Sequence, residues 1–204
     1  MGRLQPLPSG QIEVNGAAFD GAVLAVAPYH AAALLPPDTP ANIQTAYADM
    51  QYHAITTVYL RYAAPLNLPA AMTGLANGTA QWLIGRAALG GSAYEVAAVI
   101  SVSDIVGGFA PDEWVARVNA DVQALCPDAG APVAARAITE KRATTAAVAH
   151  RRLPDLAWLH HQHIYPAGDY LHPRYPATLE AAVQTGQSAA ALCLNEWALS
   201  KRTA

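Results

Sequence analysis

Gly168-Asp169, one short loop ahead of Tyr175-Pro176-Ala177-Thr178-Leu179, has the residue types to hold a polar ligand. An Asp fixed in a turn can hydrogen-bond a sugar-like hydroxyl. A helix starting just after it leaves free N–H groups and the positive end of a dipole for an electron-rich or anionic oxygen. A second group is Gln81, Trp82 and Arg86, and a third is Glu140-Lys141-Arg142. Tyr59, Tyr62 and Lys141 are polar groups in otherwise apolar segments, which makes them candidate proton donors. Each has a plainer reading: Asp169 as a turn former, Trp82 as core, the charged triplet as a solvated cluster at a strand end. His150, His160, His161, His163 and His172 crowd one stretch, but neither a Cys nor a carboxylate pair joins them. A structural metal takes four convergent ligands with a defined second shell, so no metal is expected. No Ser sits in a GxSxG elbow either.

These residues need elements to position them. Pro176 suits a first helical position, because it has no N–H to lose and its φ is already set. Leu179, Ala182, Val183, Gly186, Ala190, Cys193, Leu194 and Trp197 then recur at intervals of three and four, predicting one apolar helical stripe. Small residues dominate it, so the helix can lie close against a neighbour. Upstream, Gln11–Val14 alternates and Asn15-Gly16 signals a hairpin before Phe19. Ala22–Ala27 reads as a strand covered on both faces, and His30–Leu35 as a short helix. A polar, helix-like piece runs to Met50. Ala54–Tyr62, Thr79–Ile84 and Glu95–Val102 read as strands of an antiparallel meander, with turns at Asn77-Gly78 and Gly90-Gly91. Pro111–Leu125 is a helix with an acidic first turn, and Val133–Thr139 a last strand. Thr144–Trp158, with Pro154 inside it, reads as a loop or irregular crossover.

Composition bounds the function. With 204 residues the chain can bury a core. Hydrophobic residues make up 53% and charged ones 13%, which excludes disorder and leaves apolar surface for a partner or a greasy ligand. The net charge of −3 without a basic cluster argues against nucleic acid. No apolar run reaches the about eighteen residues of a membrane span. MGRLQPLPSG has no signal-peptide pattern. Cys126 and Cys193 read as buried thiols of a reducing compartment. A cytoplasmic protein is expected, free or peripheral to the inner membrane.

Gly168-Asp169 followed by Tyr175-Pro176-Ala177-Thr178-Leu179-Glu180-Ala181-Ala182-Val183 and Gly186 resembles the C-terminal flavin motif of the amine oxidase and phytoene desaturase superfamily. Ile55–Tyr62, Gln81-Trp82, Val99-Ile100-Ser101, Ile138–Thr144 and that motif occur in the order of the squalene-associated desaturases, the hydroxysqualene dehydroxylases of hopanoid biosynthesis. The resemblance implies FAD, with Asp169 on its ribityl chain, Gly168 and Tyr175–Leu179 beside it, and backbone N–H groups of Thr178 and Leu179 facing the flavin. It implies an isoprenoid substrate, with hydroxysqualene reduced to squalene, and Gln81 and Trp82 on the substrate side. Two positions depart from the family pattern: Ala181 stands in place of Gly, and Ile84-Gly85 in place of an aromatic-acidic pair before Arg86. The fold implied is α/β with an α+β insert. Residues 1–36 would end the first portion of an FAD-binding domain, 37–145 form an antiparallel-sheet substrate domain, and 146–204 return to the FAD domain. The Gly-rich GxGxxG turn that receives the pyrophosphate is not in this sequence. Its place would be filled by a missing N-terminal half or covered by a second copy. Another amine oxidase or carotenoid desaturase, and a non-catalytic fragment, are the rival readings.

Overall fold

A computed structural model describes residues 2–203. In chain order it begins with β1 (Gln5–Pro6), β2 (Ile12–Val14), β3 (Ala17–Phe19), β4 (Ala22–Leu24), α1 (Pro28–Leu34) and α2 (Ala41–Ala48). Then come β5 (Tyr52–Arg61), β6 (Met72–Gly74), β7 (Trp82–Gly85), β8 (Glu95–Ser101), α3 (Ser103–Val106) and α4 (Pro111–Leu125). The chain closes with β9 (Ala134–Thr145), α5 (Leu156–His161), β10 (Ile164–Pro166) and α6 (Leu179–Thr203). They form two compact units, Met1–Gln51 with Thr145–Ala204, and Tyr52–Thr144. No helix among the described residues is long and apolar enough to cross a membrane.

In the first unit β1, β2 and β3 form an antiparallel sheet. Asn15 and Gly16 both take positive φ, 52° and 84°, the geometry a two-residue hairpin of this twist demands. Pro28 opens α1 at its first turn. The helix α2 buries Ile43, Ala46 and Tyr47 within this same unit, so the division expected at residue 36 falls at Gln51 instead. β4 pairs in parallel with β10 through Ala22–Ile164, Val23–Tyr165 and Leu24–Pro166. The expected strand to Ala27 stops at Leu24, whose carbonyl takes a last bond from the Ala167 N–H at 3.0 Å. Val23 is 45% exposed, so this strand is not covered on both faces. Where the chain leaves this unit and re-enters it, the N–H of Ala146 donates to the carbonyl of Gln51 at 2.9 Å.

Two expectations for the last helix change. Pro176 is not its first residue: Ala177 takes a left-handed φ of 63°, and the helix begins at Leu179. The buried face is also a different one. Ala181 and Ala189 are buried and Thr185 and Cys193 half-buried, a period of four, while Leu179, Val183, Leu194 and Trp197 of the expected stripe are exposed. Small residues occur all round this helix, so periodicity marked a face without telling which one is covered here. The close approach itself is present: a Cβ on Gly21 would lie 2.8 Å from the Cys193 Sγ.

In the second unit the sheet order is β6-β7-β8-β5-β9. β6, β7 and β8 form a meander, but β5 pairs antiparallel with β8 rather than with the next strand in sequence. β9 runs six residues beyond Thr139, so Glu140-Lys141-Arg142 lies inside a strand and not at its end. One sheet face packs on α4: Val58, Leu60, Tyr62, Leu83, Val96, Ala98 and Ile100 form a core with Trp114, Val118 and Val122. These alternate residues of each strand share a face because a pleated strand repeats every two residues.

Candidate functional site

The Gly168-Asp169 turn is built by β10 below it and α6 beside it. After Pro166 the chain turns at Gly168, where a Cβ would run into the Cε1 of buried Tyr170. Only glycine leaves that ring its place. Thr185, one of the residues the sequence reading passed over, ties the turn to the helix: its Oγ1 accepts from the Gly168 N–H at 3.1 Å. The same hydroxyl lies 2.9 Å from the Ala181 carbonyl, 3.0 Å from the Gly168 carbonyl and 3.2 Å from the Ala182 carbonyl, three acceptors for its single proton. A Thr among small apolar residues was the available signal. Arg151 holds the other side, donating to the Tyr170 carbonyl at 2.9 Å and to the Thr145 hydroxyl at 3.2 Å. Asp169 is half-buried, and its carboxylate has no partner among the described residues.

Thr178 caps α6. Its hydroxyl accepts from the Ala181 N–H at 3.1 Å and donates to the Tyr175 carbonyl at 3.0 Å, while its carbonyl takes the Ala182 N–H. That leaves the N–H groups of Leu179 and Glu180 without a protein acceptor among the described residues. The Thr178 side chain therefore matters more than expected from the sequence. The preceding turn is braced by a network. His172 Nδ1 accepts from the N–H groups of Arg174 and Tyr175, so Nε2 carries the proton given to Gln184 Oε1 at 3.0 Å. The Tyr175 hydroxyl donates to the same oxygen, and Gln184 in turn donates to Glu180. The rings of His172 and Tyr175 stack with centroids 4.0 Å apart. Neither His172 nor Gln184 stood out in sequence as part of this turn.

Behind the turn the groups are structural. Tyr165 donates to Glu196 at 2.6 Å, and burial pushes its hydroxyl well above the ordinary value, with Glu196 adding. Burial likewise raises the Cys193 thiol, helped by Glu196 and Asp20, which keeps it protonated and unreactive. His160 stacks on Tyr165 at 5.4 Å. Among the described residues no three His, Cys, Asp or Glu side chains gather as a metal group would.

The other candidate residues belong to the second unit. Tyr62 is buried and donates to Asn119 at 2.8 Å, a bond between sheet and α4. Gln81 Oε1 accepts from the Ser101 N–H at 2.7 Å, so its amide serves the sheet. Trp82 is 41% exposed with its ring over Gly74, and so is not a core residue. Tyr59 is 40% exposed and lines a cavity with Arg86. Lys141 is exposed.

The model of the family described as flavin containing amine oxidoreductase matches residues 9–194. The chain belongs to that family. A hydroxysqualene dehydroxylase of Rhodopseudomonas palustris is 30% identical over 179 residues, 86% of this chain and 38% of the relative. One of Zymomonas mobilis is 28% identical over 151 residues, 71% of this chain and 34% of its own length. A cyclohexylamine oxidase from Brevibacterium oxydans has the same fold, with a TM-score of 0.65 at 17% identity over 95% of this chain and 47% of that one. This flavin-family chain thus spans under half the length of the relatives it matches. Its cofactor is FAD, and its mixed α/β architecture is of the amine oxidase type.

Proposed function

We propose that the chain is part of a flavin-dependent oxidoreductase that removes the hydroxyl of hydroxysqualene reductively to give squalene, with polypeptide beyond this sequence supplying the Gly-rich pyrophosphate turn. The observation that carries the reading is the unpartnered Asp169 carboxylate one short loop ahead of a capped helix whose first N–H groups are free. Asp169 would bond a ribityl hydroxyl, and the N–H groups of Leu179 and Glu180 would face an electron-rich edge of the flavin. Gly168, with no side chain, lets the buried Tyr170 ring pack against the turn, and Tyr175 and Pro176 shape the entrance. Bound FAD in its reduced form would supply the hydride that replaces the hydroxyl, which leaves as water with one proton. The chain's own part is to orient the cofactor and to offer an apolar wall that excludes water. The resemblance to two hydroxysqualene dehydroxylases supports the isoprenoid substrate over an amine.

The chain is expected to hold flavin weakly alone and tightly with a polypeptide corresponding to the remaining portion of the Rhodopseudomonas palustris relative. Asp169→Ala in that mixture should lower flavin retention at least tenfold, read by flavin fluorescence on gel filtration. Turnover of hydroxysqualene under reducing conditions then tests the substrate. Flavin retained unchanged in the variant would remove Asp169 from the site. A colourless mixture would favour the non-catalytic fragment.

A further inference from the structure

The sheet face turned away from α4 is open, and its residues stand in rows. Gly74, Trp82, Val99 and Thr57 lie opposite one another across β6, β7, β8 and β5, and Met72, Ile84, Ala97 and Tyr59 form the next row. Directly opposed residues share a face, so the rows make a continuous apolar floor. Met72 is 54% exposed, in addition to Trp82 and Tyr59. The row after Tyr59 pairs Arg61 with Glu95, and there the floor opens into a cavity of about 310 Å³ lined by Tyr59, Arg61, Arg86, Glu95 and Arg136. Arg61 lies 4.0 Å from Glu95, while Arg86 and Arg136 have no hydrogen-bond or carboxylate partner among the described residues. Three guanidinium groups thus face one carboxylate, at the end of a greasy surface. Tyr59 belongs to both the floor and the cavity wall.

We propose that this face binds a small amphiphile, its isoprenoid chain lying over the Trp82 and Tyr59 rows and its phosphate or diphosphate head among Arg61, Arg86 and Arg136. The planar guanidinium fork matches phosphate oxygens in pairs. A neutral alcohol offers these cations one uncharged acceptor and no paired oxygens, so this ligand is distinct from the substrate proposed above. The choice of an isoprenoid chain rests on that earlier reading; the acidic head follows from the arginines alone.

The test is a fluorescence titration of the full chain with farnesyl diphosphate, farnesol and inorganic pyrophosphate, each below its aggregation threshold. Farnesyl diphosphate should bind at least tenfold more tightly than either of the others, with an emission change that Trp82→Phe removes. The double variant Arg86→Gln, Arg136→Gln should bring farnesyl diphosphate down to the affinity of farnesol and leave farnesol unchanged. Arg136 is exposed and Arg86 half-buried, and circular dichroism checks that the variant keeps its fold. Equal affinity for farnesyl diphosphate and farnesol would overturn the head site, as would an indifferent double variant. Pyrophosphate binding as tightly as farnesyl diphosphate would overturn the floor. Flavin binding is read separately: FAD retained with no preference for the diphosphate sinks this proposal alone, and the reverse result sinks only the flavin reading.

Discussion

Ala177 and Thr178 sit side by side with opposite effects on the start of α6. Ala177 takes a φ of 63°, a conformation that costs an L-residue roughly 1–2 kcal/mol. Ala177→Gly should therefore raise stability or leave it unchanged, and Thr178→Ala should cost about 1 kcal/mol by removing the cap. Urea denaturation of the two variants measures both signs; a destabilising Gly would mean that the Ala177 methyl packs usefully. The second residue-scale prediction concerns alkali. Burial of Tyr62 beside Cys126 pushes its hydroxyl from the ordinary 10.0 up to about 12. The folded value lies above the unfolded one, so this contribution is fully present below pH 10 and is lost as the pH rises through about 12. Alkaline unfolding should accordingly set in over that window. Tyr62→Phe, which cannot ionise, should flatten the slope there, as followed by circular dichroism against pH.

At the scale of elements, the sheet and α4 depend on one shared core. Leu83 is fully buried on β7 between the strands and the helix. Leu83→Ala should cost about 2–5 kcal/mol, from lost transfer energy plus the cavity left behind. An unfolding midpoint unchanged by that substitution would mean that the sheet and helix do not unfold as one. The sequence was legible where local chemistry and packing agree. Pro111 with its acidic turn and the Trp114–Val118–Val122 face predicted α4 to the residue, and Asn15-Gly16 predicted its hairpin. It was illegible where partners decide. The pairing of β5 with β8 is a choice among similar apolar strands that no local signal makes. The face that α6 buries depends on which neighbour reaches it, and a helix small on every side does not announce that. The Gly168-Asp169 turn and its helix could be read as a motif, but the Thr185 tie and the His172–Gln184 brace depend on a loop closure invisible in one dimension.

At the scale of the whole molecule, the exposed apolar residues of α6, among them Leu179, Val183, Leu194 and Trp197, set the behaviour in solution. A surface of this kind is expected to recruit a partner or a second copy. Sedimentation at two concentrations should show a rise in mean mass for the chain alone, and Leu194→Glu should reduce it. Mass independent of concentration would mean that these side chains are tolerated in water. The hydrogen bond between Ala146 and Gln51 has a different consequence. Because those two residues already touch, the intervening stretch 52–144 is a cassette plugged into one seam. A gene in which that stretch is excised and the seam bridged by a tight Asn-Gly link asks little of the remaining backbone, since closing a loop grows costlier only slowly with its length. Foreign modules grafted at the same seam would then inherit a ready-made socket.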